Sequence, residues 1–406
     1  MTDKQRRLEL EELLVKKKKE LNVAQKNSDI FNATQLALKL VLNGSYGAFA
    51  NKFFVCFSNG VASAITAQGR LSTQQMVMDN DSYWHNEWHL DIELHEKLGL
   101  KDVTQISKNQ CVTSYGDTDS IFVTLKPAMD SCSWDGDPLE FVHKINQHKL
   151  VNYFEQKLVD LGSRFGVENV QNFELEQVSK SIIFLQKKMY VKNVVWEDGA
   201  YNENNPDYCK TGIYNEPETN IQAKGIDIVR SSTPAFARIK IKEIIKYYFE
   251  NPVSMNDRHL TKLIKEIKNQ FKVANIEDIC SSSSCSNYNI KVLNDQDSLE
   301  FVKGTHWAVK AAGLHNYLLN QNPEFKSKYN LVKSGMKLKI YYTDNLQNNT
   351  FAFLGGNYPF EIATKYAPID YDTQFEKAIL NMVNRFNAVL GLSQLNPRLT
   401  FKISIF

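Results

Sequence analysis

Two aspartates separated by one residue, Asp117 and Asp119, stand in the run Tyr115-Gly116-Asp117-Thr118-Asp119-Ser120. Carboxylates held this close repel unless something positive compensates them. A divalent cation does so, and magnesium takes oxygen ligands, retains waters and bridges to phosphate groups. Two such ions can activate an attacking oxygen and neutralise a leaving one in an in-line displacement. For a bare Asp-x-Asp an ordinary surface turn is the better explanation, because Asp and Gly favour turns wherever they occur.

A second set suited to phosphate chemistry is Gln35, Lys39, Asn43 and Tyr46, followed by Gly47. At about 100° per residue the first four share one helical face, with Ala37, Val41, Gly44 and Ala48 opposite. Lys39 offers charge to phosphate oxygens, Asn43 a hydrogen bond, and Tyr46 a ring to set against a base pair. An amphipathic helix with an ordinary polar face fits this segment at least as well. A third set, Lys187, Lys188, Met189 and Tyr190, offers cations for duplex contacts of little sequence preference. Within a strand it also reads as a half-exposed sheet edge.

The elements that must position these residues follow from pattern. Residues 4–25 read as a charged amphipathic helix, and Asn27, Ser28 and Asp29 as a break. A second helix is expected from Asn32 through the Lys39 face, with Asn32 or Thr34 as cap, and a third over residues 61–78. Residues 79–109, rich in Trp, His and Asp, give no assignable periodicity. Short β-rich runs on either side of Gly116-Asp117-Thr118-Asp119 predict two strands joined by a tight turn. Residues 138–161 read as helix, and SIIFL and MYVKNVVW within residues 173–196 as strands. Thr233 is expected to cap a helix whose first residue is Pro234. Residues 281–284, four serines, read as a flexible surface connection.

At 406 residues the chain is long enough for one sizeable core or two to three modules. Its formal charge of +2 says little, since steering depends on where charges sit. The six cysteines form no CxxC pair and the eight histidines do not cluster with them, which argues against a zinc site and for a reducing compartment. The charged start is no signal peptide, and no apolar run reaches membrane length, so a soluble intracellular protein is expected.

YGDTDS resembles the third polymerase motif of family B DNA polymerases over all six residues. QLALKLVLNGSYG resembles the family's nucleotide-binding fingers helix, KKMY its KKRY primer-grip element, and AKGIDIVRSSTP the palm-to-thumb passage of the tailed-phage replicative enzymes. The resemblance implies an α+β fold with fingers helices over residues 1–52, an antiparallel palm sheet over 53–235 and a mainly helical thumb over 236–406. It implies template-directed addition of dNMP to a primer 3′ end, with Asp119 and Asp117 as catalytic residues and ligands of two Mg2+ ions, Mn2+ being a substitute. Nucleotide binding carries over to Lys39, Asn43, Tyr46 and Gly47, with Lys17 as candidate for the basic element of the preceding helix. DNA binding carries over to Lys187, Lys188, Tyr190, Lys224 and Arg230.

Three departures stand out: Gly44 where serine is usual, Met189 where arginine is usual, and no DxxSLYPS-like first palm motif before Gln35. The expectation is the C-terminal part of a split or truncated enzyme, with an N-terminal polymerase subunit supplying that motif and an exonuclease. The final TFKISIF resembles a sliding-clamp peptide, though packing onto the thumb is the stronger explanation. If the source is viral, the setting is the cytoplasm of an infected bacterium. A noncatalytic DNA-binding or assembly subunit with a polymerase-like palm is the competing reading.

Overall fold

The computed structural model describes residues 3–198, 211–213, 221–251 and 256–399. They fall into two units, Met1–Glu174 and Leu175–Phe406, each with its own core.

In the first unit α1 runs without interruption over Asp3–Phe49. The expected break at Asn27, Ser28 and Asp29 is absent. That stretch contains neither Gly nor Pro, and its polar side chains bond one turn along the helix instead of ending it. Gln25 donates to Asp29 Oδ1 at 3.0 Å, and Thr34, expected as a cap, donates to the Ile30 carbonyl at 2.8 Å. Almost all of α1 is exposed, Leu10, Phe31 and Leu42 by 58, 72 and 71%.

Next comes α2 (Asn59–Ser82), capped by the Ser58 hydroxyl, which accepts from the Val61 amide. It continues through a π-helical turn, Tyr83–Glu87, before α3 (Ile92–Leu98). Strands β1 (Thr113–Asp117) and β2 (Ser120–Val123) form an antiparallel pair. They are followed by α4 (Lys126–Ser131), α5 (Pro138–Ile145) and α6 (Val151–Arg164). Asp137 caps α5 with Pro138 in its first turn, where a missing amide proton costs nothing. The segment without periodicity supplies much of the core: Tyr83, Trp84 and Trp88 are buried with Met76, Phe141 and Phe154.

The second unit begins with a sheet in which β4 (Met189–Asp198) lies between β3 (Gln177–Gln186) on one side and β5 (Thr211–Ile213) and β6 (Ile221–Lys224) on the other. Helices α7 (Ala235–Glu250) and α8 (Asp257–Val273) follow. Then come α9 (Ile276–Ile279), β7 (Ser281–Ser284), α10 (Tyr288–Lys291), β8 (Val292–Asn294) and β9 (Glu300–Phe301). The described chain closes with α11 (Trp307–Gln321), β10 (Lys337–Tyr342), β11 (Thr350–Leu354), α12 (Phe360–Tyr366), α13 (Tyr371–Phe375) and α14 (Asn381–Leu390). Ile183 and Val191 of the sheet share a core with Ile244, Ile264, Phe271 and Phe386.

Two local expectations change here. The four serines form β7, in register with β10 from Ser281–Ile340 to Ser284–Lys337, because buried Cys280 and Cys285 anchor both ends. Pro234 is itself the cap of α7, and the Thr233 hydroxyl turns back to the Asp227 carbonyl at 2.5 Å. Among the described residues no helix is long and apolar enough to cross a membrane. The suggested clamp peptide, residues 400–406, lies outside the described residues.

Candidate active site

The predicted strand–turn–strand is present, with Asp117 opposite Ser120 and Thr118-Asp119 as the two-residue turn. Thr118 has φ +58°, the left-handed conformation a tight turn demands, which a threonine adopts only at a cost. Several bonds hold it. The Thr118 hydroxyl donates to Asp117 Oδ1 at 3.0 Å, the Asp119 amide to the Asp117 carbonyl at 2.6 Å, and the Ser120 hydroxyl to the same carbonyl at 3.2 Å. From α2, the Thr73 hydroxyl shares its single proton between the Thr118 carbonyl at 2.8 Å and the Gly69 carbonyl of its own helix at 2.9 Å. Two turns along α2, Asn80 donates to Thr113 Oγ1 at 2.8 Å and accepts from the Trp84 indole at 3.0 Å. Helix α2 therefore grips β1 at its base and the turn at its tip. Neither Thr73 nor Asn80 was singled out by sequence pattern.

The two carboxylates differ in setting. Asp117 is only 8% exposed, whereas Asp119 lies at the surface with its carboxylate unpaired among the described residues. Oxygen donors of this kind suit a hard cation such as magnesium. Among the described residues, however, no group of three or more His, Cys, Asp and Glu is placed to hold a metal. The pair fits part of such a site.

Gln35, Lys39, Asn43 and Tyr46 lie on α1 as one exposed row. Gly44 and Gly47 face open space, with nothing within 4 Å of where a Cβ would stand. Lys17 lies on the same helix and is bonded to Glu20 at 2.8 Å. Twenty-two residues of continuous helix separate it from Lys39 by roughly 33 Å, so α1 in this form does not bring the two together.

In the second unit Lys187 and Lys188 are the turn of the β3–β4 hairpin, not strand residues, and Lys188 has φ +61°. Gly225, at φ +69°, abuts this turn: any Cβ there would overlap the Lys188 carbonyl oxygen. Since Lys224 is in register with Tyr190, the structure gathers Lys187, Lys188, Tyr190 and Lys224 at one end of the sheet. Tyr190 is buried at 4% exposure, its ring 5.8 Å from Phe184. Arg230 is exposed and paired with Asp227 at 2.9 Å.

Farther along β4, Lys192 meets Gln177, which donates to Glu197 at 2.6 Å; Gln222 donates to Glu197 at 3.2 Å. Burial pulls the Lys192 pKa down, and Lys224 adds to this while Glu197 opposes it. The same-face spacing of Tyr190 and Lys192 is a sequence signal for this network. Arg385 of α14 also reaches the hairpin, its Nη2 donating to Met189 Sδ at 3.2 Å.

The sequence profile of DNA polymerase family B matches residues 8–306. A protein of Sulfolobus acidocaldarius named DNA polymerase 1 is 24% identical over 367 residues, 89% of this chain and 30% of its own length. The DNA-directed DNA polymerase of Enterobacteria phage T4 is 23% identical over 286 residues, 63% of this chain and 28% of its own. The DNA polymerase catalytic subunit of Rhesus cytomegalovirus is 25% identical over 251 residues, 59% and 19% respectively. The chain thus spans under a third of the length of these relatives.

Proposed function

Because the chain belongs to DNA polymerase family B, we propose that it carries the acidic turn of a template-directed DNA polymerase and adds dNMP from dNTP to a primer 3′ end, releasing pyrophosphate. The observation that carries this reading is the turn itself, with an unpaired, exposed Asp119 beside a buried Asp117 in the motif that the family resemblance singles out. Asp119 and Asp117 would hold magnesium, or manganese in its place, whose chemistry there is to neutralise phosphate charge and favour attack by the primer hydroxyl.

Lys39 and Asn43 would bind the triphosphate, and Tyr46 with Gly47 would meet the nascent pair. Lys17 joins them only if α1 folds back on itself. Lys187, Lys188, Lys224 and, through packing, Tyr190 would hold the primer–template duplex, with Arg230 at its margin. Residues 1–52 would then be fingers, 53–235 palm and 236–406 thumb.

A completing segment that brings a first palm motif, and with it a further carboxylate, belongs to this proposal, on a separate polypeptide or on a longer form of this chain. Three features support it: a donor set of two carboxylates, apolar side chains exposed along α1, and a β1–β2 pair with no further strand among the described residues. A two-stranded sheet is marginal alone, and its open edges invite another strand. An exonuclease on that polypeptide and a sliding clamp at residues 400–406 are further proposed partners; a tailed-phage source is likewise a proposal.

The test mixes the chain and its completing polypeptide with primed template, dNTPs and Mg2+. Extension should be robust and fall by roughly a thousandfold with Asp119→Asn, on the scale of losing a preorganised electrostatic contact. A verified stable assembly that extends nothing would instead mark a noncatalytic DNA-binding or assembly subunit.

A further inference from the structure

We propose that Arg385 is a DNA-binding residue, and that its ligand is a backbone phosphate of the duplex held at the β3–β4 turn. The inference rests on the polymerase reading for the identity of the polyanion, and on the following geometry for the site.

Arg385 is half-buried on α14, and its shown hydrogen bond goes to the Met189 thioether at 3.2 Å. A guanidinium has five donors, and a thioether is a weak acceptor. Among the described residues no carboxylate pairs with Arg385, whereas Arg7, Arg230, Lys240 and Lys268 each have one within 3.0 Å. A partly desolvated cation without an anion is unfavourable. A ligand that supplies the anion relieves that cost.

The position of Arg385 is fixed from below. Its neighbours Met382, Val383 and Phe386 are buried in the core, so the helix cannot swing the side chain away. Met189, in register with Gln186, closes the hairpin whose turn is Lys187-Lys188. Lys224 lies opposite Tyr190, the next residue. Cations from three separate segments, the turn, β6 and α14, thus converge on one end of the sheet. A phosphate there would meet a planar two-pronged donor as well as point charges, the geometry in which arginine exceeds lysine.

The test titrates a labelled primer–template with the full chain at several salt concentrations. Arg385→Gln should weaken binding several-fold, equally for unrelated sequences, and lower the slope of log K against log salt by about 0.9, one phosphate contact. Arg385→Lys should keep the slope, and adding Met189→Arg to Arg385→Gln should return it. An unchanged slope in Arg385→Gln with a wild-type melting profile overturns the assignment, leaving Arg385 a packing partner of Met189. If Arg385→Gln fails to fold, Arg385→Met, which keeps the apolar stem and removes the charge, takes its place, and an unchanged slope there overturns the proposal. No salt-dependent duplex binding by the wild type would instead overturn the polymerase reading and this ligand together.

Discussion

At the scale of single residues, Thr73 illustrates how the acidic turn depends on a group remote in sequence. Its hydroxyl bonds the Thr118 carbonyl, and its methyl lies 3.9 Å from where a Cβ on Gly116 would stand. Thr73→Val keeps the shape and removes the bond, worth about 1 kcal/mol. In the completed polymerase proposed above, half-maximal extension should then need about fivefold more Mg2+, while Thr73→Ser, which keeps the hydroxyl, should follow the wild type. A Mg2+ titration of the valine variant that overlays the wild type would show that the turn holds its shape without help. The turn that carries Asp117 and Asp119 was legible in the sequence because a two-residue turn between β-rich runs is a local signal. Thr73 and Arg385 were not, because only tertiary packing brings them 45 and 196 residues along the chain to their partners.

Among the elements, two of the misread segments share a cause. Asn27, Ser28 and Asp29 read as a break and the serines 281–284 as a loop, since both use residues that favour caps and turns. In the fold, bonds within α1 in one case and a neighbouring strand in the other outweigh that preference. The π-helical turn at Tyr83–Glu87 hid the core from periodicity, because an extra residue shifts every later side chain around the helix. The strand runs SIIFL and MYVKNVVW were legible through their β-branched residues, and they lie within β3 and β4.

A direct comparison separates an exposed helix from a buried one. Leu42→Ala, on a residue 71% exposed, should change stability by less than about 0.5 kcal/mol in the chain alone. Trp84→Ala, at 1% exposure, should cost roughly 3–5 kcal/mol. Chemical denaturation reads both. If a completing polypeptide covers α1, Leu42→Ala should weaken that association instead, and an unaltered affinity would remove α1 from the interface.

For the whole molecule, a buried histidine ties stability to pH. His315 of α11 is buried in the second unit, and burial lowers its pKa to about 4 from an ordinary 6.5. Its Nε2 lies 3.1 Å from the Asn330 carbonyl. The unfolded chain gains a proton there as pH falls below about 6.5, while the folded chain resists until about 4. Stability should therefore be full above pH 6.5 and decline toward pH 4 by up to ~3 kcal/mol. His315→Gln should flatten that part of the profile, and an equally steep decline in the variant would assign it to other groups.

The indole rings of Trp84 and Trp88 lie 5.2 Å apart between centroids, tilted by 52° and shielded from water. Through Asn80, the Trp84 ring shares a bridging side chain with Thr113, at the foot of the strand that ends in Asp117. Events at the turn thus have a short mechanical route to an optical signal. If a cation binds the turn as proposed, the near-ultraviolet dichroism of these two rings should change on adding Mg2+ to wild-type protein and not to Asp119→Asn.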